Sequence, residues 1–532
     1  MPADQHTEHP ADPAQEAARR RTFAIISHPD AGKSTLTESL ALHCGAVQEA
    51  GHIHGKGNRG STVSDWMSME QERGISVTSA SMQLEHRGTV LNLLDTPGHS
   101  DFSEDTYRVL AAVDAAVMLV DAAKGLEPQT MKLFAVCRHR GIPIITVINK
   151  WDRPGREALE LMDEIREQTG LEPTPLTWPV GIAGDFGGFL DRGSGELVTV
   201  EPSAGGRHLA REQIHTPDEA AQADVDGWEQ AVEESELLSA SGADPDQETF
   251  LEGITSPVLF AAAVRHIGVP RILDALVDLA PSPSPRPDLA GRERALDEPF
   301  SAFTFKVQAG MDPAHRDRLA FIRVCSGVFR RGMTATTART GKPFAMKYAH
   351  LSFGRDRDLT DLAYPGDVVG LVNASALTIG DTLYEEPPVE FPGLPRFAPE
   401  HFALVSPADR GRTKQFRRGI DQLESEGVVQ VLRSEVRGQE VPVLAAVGTM
   451  QFDVVEHRLA HEFRAAPRWE TLHYSVARRT DEESAGSLEA LPGVEVLRRG
   501  DGELLALFRD RWHVRGVERT REGLTLEPLV AA

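Results

Sequence analysis

Ser27-His28-Pro29-Asp30-Ala31-Gly32-Lys33-Ser34 is the stretch on which the reading of the chain turns. The apolar run before it, Phe23-Ala24-Ile25-Ile26, predicts a buried strand, and Leu36 and Leu40 after it share one helix face. Strand, tight loop and helix are the setting in which a Gly-Lys-Ser loop grips phosphates. Backbone N–H groups at the helix N-terminus point at the anion, and the helix dipole favours negative charge there. In such a loop Lys33 would reach the β- and γ-phosphates and Ser34 would offer its hydroxyl to Mg²⁺. The usual first glycine of the pattern is replaced by Ser27.

Three later segments fit the same chemistry. Gly51 to Thr78, rich in Gly, Ser and charge, reads as a long loop. A hydroxyl from it could join the oxygen ligands of Mg²⁺ only while the γ-phosphate is present, which would make the loop a switch; Ser76 and Thr78 are the candidates. The strand Val90 to Leu94 ends at Asp95-Thr96-Pro97-Gly98-His99. There Asp95 could hold Mg²⁺ through water, the Gly98 N–H could meet the γ-phosphate, and His99 could orient the attacking water. The strand Ile142 to Ile148 delivers Asn149-Lys150-Trp151-Asp152. Guanine offers N1–H and an exocyclic amine as neighbouring donors, and an ionised carboxylate such as Asp152 only accepts. Asn149 could meet the O6/N7 side and the Lys150 stem could cover the ring. A site built for such bonds rejects adenine, so the reading is a GTPase. The candidate nucleotide-binding residues are Ser27, His28, Pro29, Asp30, Ala31, Gly32, Lys33 and Ser34, then Asp95, Thr96, Pro97, Gly98 and His99, then Asn149, Lys150, Trp151 and Asp152.

Composition narrows the class. At 532 residues, 40% hydrophobic and 26% charged, the chain should form several globular domains. No run approaches the ~20 apolar residues of a membrane span. Cys44, Cys137 and Cys325 lie far apart, which predicts a reducing cytoplasm rather than a disulfide framework. His52-Ile53-His54 has no matched ligand cluster, so zinc is not expected. The net charge of −24 falls almost entirely before residue 283, so the chain is a poor non-specific nucleic-acid binder and DNA is not an expected partner. Local basic segments remain: Arg410, Arg412, Lys414, Arg417 and Arg418, and then Arg509 to Arg521. Each reads equally as an RNA phosphate contact or as a solvated helix face.

The predicted fold is multidomain, α/β then β then α+β. Residues 1–20 read as a disordered tail and 21–280 as a P-loop GTPase domain. Between Arg211 and Arg265 there is no Lys or Arg, while Trp228, Val232 and Leu238 recur through acidic sequence. This predicts an insertion at about 190–255 containing an acidic amphipathic helix, either solvated or a docking surface. The run Pro281-Ser282-Pro283-Ser284-Pro285-Arg286-Pro287 opens an extended linker, 281–294. Short strands with Gly turns predict a β-barrel over 295–392. Alternating strands and helices predict a ferredoxin-like α+β domain over 393–532.

The loop Ser27 to Ser34, the segment Arg73-Gly74-Ile75-Ser76, Asp95 to His99 and Asn149 to Asp152 together resemble the translational GTPases. Ser64-Asp65-Trp66-Met67-Ser68-Met69-Glu70-Gln71-Glu72-Arg73-Gly74-Ile75-Ser76 is most similar to the bacterial termination branch of that family. The resemblance implies a ribosome-stimulated GTPase using GTP/GDP and Mg²⁺. It places Ser76 at the switch position that carries Thr in elongation factors and aligns His99 with their catalytic histidine. It implies partnership with the ribosome and with class I release factors, whose departure after peptide release it would promote, in a monomeric protein with no membrane contact. The fifth guanine segment falls at Phe260-Ala261-Ala262-Ala263, where the family's Ser is missing and backbone N–H groups would have to serve. The open alternatives are a GTPase acting on another ribosomal ligand and a nucleotide-gated protein-binding module.

Overall fold

A computed structural model describes residues 11–47, 81–96, 103–201, 211–222, 225–309, 318–350, 360–394, 397–434, 441–521 and 523–529. The chain opens with α1 (Pro13–Ala18), β1 (Arg20–Ser27) and α2 (Lys33–His43). There follow β2 (Ser81–His86), β3 (Thr89–Asp95), α3 (Ser103–Leu110), β4 (Ala115–Asp121), α4 (Pro128–His139), β5 (Ile144–Asn149), α5 (Ala158–Thr169) and β6 (Glu172–Pro175). After an insertion, β11 (Thr255–Phe260) and α9 (Val269–Asp278) complete the first domain. Its sheet runs β2-β3-β1-β4-β5-β11-β6, parallel except for β2. Every residue of β4 and β5 is buried, as expected of central strands covered by helices on both faces. In β1, Phe23 and Ile25 face Leu36 of α2 and Ile272 of α9, while Ala24 and Ile26 face Val109 of α3, Leu133 of α4 and Leu161 of α5.

Two expectations need correction, and the linker makes contacts the sequence did not show. The tail is ordered from residue 11. Asp12 caps α1 through Ala14 N–H at 3.0 Å, Ala17 is buried, and Glu16 pairs with Arg20 at 2.6 Å. The insertion begins at Thr177 rather than near 190. It contains β7 (Thr177–Ile182), β8 (Asp185–Asp191), β9 (Leu197–Glu201) and β10 (Arg211–His215) as an antiparallel sheet, then α6 (Pro217–Gln222), α7 (Trp228–Ala240) and α8 (Gln247–Leu251). The acidic helix α7 buries Trp228 and Ala231, and its Glu234 accepts from the buried Trp178 indole at 2.7 Å. Arg192, reaching over from the end of β8, binds Ser235, Ser239 and Asp244 and supplies the positive charge this stretch lacks. Finally, the linker is bolted down. The Arg286 guanidinium lies 3.9 Å from the Phe303 ring centroid and donates to the Ala111 carbonyl at 3.3 Å, and β12 (Arg286–Pro287) pairs with β13 (Glu293–Arg294).

The second domain comprises β14 (Ser301–Ala309), β15 (Arg318–Ser326), β16 (Phe329–Arg330), β17 (Thr334–Thr337), β18 (Lys342–Ala345), β19 (Ala349–His350), β20 (Leu362–Ala363), β21 (Val368–Val372) and β22 (Thr382–Tyr384). It is a curled antiparallel sheet, β18-β17-β22-β14-β15-β21-β19, with β16 and β20 paired separately. Its tight turn at Tyr364–Asp367 plugs into the first domain. The buried Asp367 carboxylate accepts from Arg20 of β1, Gln83 of β2 and Asn92 of β3 at 2.9, 3.1 and 3.2 Å.

The third domain runs β23 (His401–Pro407), α10 (Thr413–Ser425), β24 (Gln430–Arg433), β25 (Val443–Ala446), α11 (Met450–His461) and β26 (Pro467–Thr471). Then come β27 (Val476–Thr480), α12 (Glu482–Glu489), β28 (Glu495–Arg499), β29 (Leu504–Phe508), α13 (Arg511–Thr520) and β30 (Glu527–Pro528). The sheet order β26-β23-β25-β24-β28-β29-β27-β30 contains two βαββαβ ferredoxin-like units in tandem, joined where β24 pairs with β28. Each unit covers one sheet face with its own helices. The uncovered faces share one core, in which Phe402, Leu432 and Val443 meet Ala477, Leu497 and Leu505.

Candidate functional site

The residues singled out in the sequence gather at the carboxyl ends of the parallel strands, where open α/β sheets bind ligands. Strand register brings them level: Ile25 of β1 is opposite Asp95 of β3, and Asp121 of β4 is opposite Asn149 of β5. The loop from Ser27 to Ser34 leaves β1 and enters α2 through Gly32, whose φ of 97° suits only glycine. A Cβ there would also lie 2.5 Å from Asn149 Nδ2.

Asn149 and Lys150 hold this loop from behind. Asn149 Nδ2 donates to the Ala31 carbonyl at 2.8 Å, and Lys150 Nζ donates to the Asp30 carbonyl. A trans peptide opposes its N–H to its C=O. With the Ala31 carbonyl turned to Asn149, the Gly32 N–H therefore faces the other way, into the hollow of the loop. Lys150 Nζ also pairs with Asp121 Oδ2 at 2.8 Å. Burial pushes the Asp121 carboxyl up, but the hydrogen bonds from Lys150 and the Ala123 N–H, together with the Lys150 charge, outweigh it and hold the group below its ordinary value. Asp121 was not singled out in the sequence. Like Asp95, it is a carboxylate ending a buried, largely apolar strand.

At the mouth of the loop, Lys33 Nζ lies 3.0 Å from Asp95 Oδ1, both side chains almost fully buried. Among the described residues, Lys33 Nζ has no partner beyond Asp95, and Asp95 Oδ2 has no hydrogen bond. Thr96 stays beside them, donating from Oγ1 to the Ile25 carbonyl at 2.6 Å. Ser27 donates to the carbonyl of His28 at 3.0 Å, and the buried His28 ring faces Glu127 at 3.0 Å. Pro29 completes the turn, half-buried, before the exposed Asp30. Ser76, Pro97, Gly98 and His99 lie outside the described residues, as do Thr78 and the rest of residues 48–80.

At the far end, the Asp152 side chain is 7% exposed; Oδ2 faces Arg265 at 3.3 Å, and Oδ1 has no hydrogen bond among the described residues. Trp151 is a packing residue, edge-on to Phe260 with centroids 4.8 Å apart. The Phe260-Ala261-Ala262-Ala263 segment is tied in by backbone. Trp151 N–H donates to the Ala261 carbonyl at 3.1 Å, and Asn149 Oδ1 accepts from Ala263 N–H at 3.0 Å. The N–H groups of Ala261 and Ala262 go to the Ile148 and Ile267 carbonyls, so all three backbone donors expected at this segment have protein partners. A cavity of about 240 Å³ beside Asp152 is lined by Gly184, Phe186, Gly188, Arg265 and Ile267. Gly184 N–H donates to the Trp151 carbonyl at 2.9 Å, so the β7–β8 hairpin of the insertion borders this end of the site. The Gly-rich run Gly184-Asp185-Phe186-Gly187-Gly188 was not singled out in the sequence.

A parallel sheet of this order with a Gly-Lys-Ser loop, an Asp-ended strand and an Asn-Lys-x-Asp loop defines a guanine-nucleotide-binding GTPase of the translation-factor class. Family models agree: residues 18–282 match the elongation factor Tu GTP binding domain, 299–386 match elongation factor G domain 2, and 391–518 match the C-terminal domain of class II release factor RF3. The chain belongs to the peptide chain release factor 3 family and is a GTPase of translation termination. The peptide chain release factor 3 of Gloeobacter violaceus is 46% identical, over 94% of this chain and 95% of that protein. That of Symbiobacterium thermophilum is 45% identical, over 96% of this chain and 98% of that protein. A crystal structure from Thermus thermophilus shares the fold with a TM-score of 0.68 at 23% identity, covering 91% of this chain and 72% of that one. No described helix is long and apolar enough to cross a membrane.

Proposed function

We propose that this GTPase, acting as a monomer on the ribosome, promotes dissociation of class I release factors after peptide release. The observation that carries the nucleotide assignment is a set of buried polar atoms with no hydrogen bond among the described residues, at the ends of strands of one sheet. Asp95 Oδ2 and Lys33 Nζ, whose one partner is Asp95, stand at the phosphate end, and Asp152 Oδ1 at the base end. Burying such groups unsatisfied is costly, so they fit a ligand that satisfies them. Asp152 accepts from guanine N1–H and the 2-amine. The second Asn149 N–H is left for the base edge, and Lys150 covers the ring. The loop Ser27–Ser34 encloses the phosphates, with Lys33 exchanging Asp95 for phosphate oxygen.

The donor set at the phosphate end, a hydroxyl and a carboxylate, suits a hard cation. Ser34, Ser76 and, through water, Asp95 would hold Mg²⁺, which when bound neutralises phosphate charge. His99 orients the attacking water, Gly98 N–H reports the γ-phosphate, and Thr96 and Pro97 shape that turn.

The test is the dissociation rate of a labelled class I release factor from post-termination ribosomes, with and without the protein and GTP. Acceleration is expected. Its absence, with ribosome-stimulated hydrolysis intact, would assign the GTPase to another ligand. His99→Ala should abolish stimulated hydrolysis while GTP binding stays unchanged.

A further inference from the structure

α13 closes the second ferredoxin-like unit. Asp510 caps it through His513 N–H at 2.7 Å, and Val514 and Val517 bury its inner face beside Phe508. The outer face is unusual for this molecule. Trp512 is 74% exposed, more than any other large hydrophobic among the described residues. The Arg515 guanidinium lies 5.4 Å from its ring centroid, one helical turn on. Arg511 and Arg519 extend the exposed row, and Arg509 and Arg521 flank it.

Charge and the indole together mark the row. The chain carries 80 acidic against 56 basic residues, and elsewhere in this second unit Arg479 pairs with Glu503 and Glu527 and Arg498 with Glu482. Arg410, Arg412, Arg418, Arg464 and Arg468 of the first unit are also exposed without an ion pair among the described residues, but no exposed indole lies among them. Arg509, Arg511, Arg515, Arg519 and Arg521 form no ion pair among the described residues. An unneutralised arginine row around an exposed indole suits single-stranded nucleic acid. Phosphates meet the guanidiniums, and any base offers a π-face for stacking. An acidic protein surface would use the charges but would leave the indole unexplained.

We propose that α13 is an RNA-docking element: Trp512 stacks on an unpaired base, and the arginines neutralise the flanking phosphates. The RNA is ribosomal, which rests on the ribosome-dependent function proposed above. None of these residues belongs to the nucleotide site, so nucleotide binding serves as a folding control.

The experiment compares wild type, Trp512→Ala, Trp512→Phe and the triple variant Arg511→Gln/Arg515→Gln/Arg519→Gln. Each is titrated against ribosomes and against an unstructured single-stranded RNA oligomer across a salt series, with ultraviolet crosslinking to the ribosome. Trp512→Ala should weaken both affinities by roughly ten-fold or more, and Trp512→Phe should restore most of the loss. The triple variant should lower the salt slope by about 0.7 per lost phosphate contact. Wild-type affinity and slope in every variant would overturn the proposal. So would a lowered slope with no effect of Trp512→Ala and crosslinks only to ribosomal protein, which would assign an acidic protein partner. Wild-type protein that ignores ribosomes yet binds the oligomer through Trp512 would retain RNA docking and remove the ribosome reading.

Discussion

Asn149 donates a buried hydrogen bond to the Ala31 carbonyl, at 2.8 Å, and accepts another from the Ala263 N–H, at 3.0 Å. One side chain thus ties together the loops that follow β1, β5 and β11.

Asn149→Ala should leave the Ala31 carbonyl and the Ala263 N–H unsatisfied, at about 1–3 kcal/mol each. A lower melting temperature is expected without nucleotide, together with at least ten-fold weaker binding of both GTP and GDP. Because the defect lies in the shared scaffold, the two affinities should fall in parallel. A loss confined to GTP would place the role of Asn149 at the γ-phosphate instead.

Asp152→Asn exchanges a buried acceptor for an amide that also donates. Xanthine presents a carbonyl where guanine has its amine, so preference should move from GTP toward xanthosine triphosphate. Hydrogen bonds to a charged group contribute about 1.5–3 kcal/mol each, so selectivity should fall roughly a hundred-fold or more. Competition binding with the two nucleotides measures it. Unchanged selectivity would move base reading away from Asp152.

Asp367→Ala removes a buried carboxylate whose partners are Arg20, Gln83, Asn92 and the Tyr364 N–H, the last at 2.8 Å. Arg20 would keep Glu16 at 2.6 Å, but its bond to Asp367 and those of Gln83 and Asn92 would be lost, at about 1–3 kcal/mol for each buried donor left unsatisfied. β2 follows the segment proposed as the first switch and β3 ends at Asp95, so the same change should uncouple the second domain from the nucleotide site. Stimulated hydrolysis should drop while GTP binding persists. Equal loss of both would make Asp367 merely a folding residue.

Asp121 gives the acid response a direction. Its carboxyl is depressed in the folded protein, so its stabilising contribution is full above the ordinary carboxylate value of about 4 and is lost as pH falls through the lowered value. Asp121→Asn should therefore be less stable than wild type near pH 7 and should lose less on acidification. Urea midpoints between pH 3 and pH 7 give the comparison; parallel curves would show that the Lys150 pair contributes nothing.

Much of the first domain was legible because its strands are buried on both faces and read as continuous apolar runs ending in functional residues. What escaped depended on partners distant in sequence. β7 and β8 carry glycines and prolines that spell loop locally, yet Trp178 is fully buried under α7. α1 is only six residues long, and its order comes from the Asp12 cap and from the Glu16 pair with Arg20, which Asp367 also holds. β27 reads Val-Ala-Arg-Arg-Thr, and only its pairing with β29 makes it a strand. At the site, Asn149 was expected to meet the base, but its two bonds to Ala31 and Ala263 could not be foreseen from spacing.

The joint between β24 and β28 has a mechanical consequence. Arg108 of α3 donates to the Gly427 carbonyl at 3.2 Å, and Tyr107 stacks on Phe397 with centroids 3.7 Å apart. Gly427 lies just before β24, beside the seam of an eight-stranded sheet. A push from α3 therefore lands near the middle of a stiff plate rather than at its rim. The plate resists bending at the seam, because the bare faces of both halves are packed together. Torque applied at Gly427 is carried to both wings at once, and a small turn of one short helix becomes a longer sweep at α13.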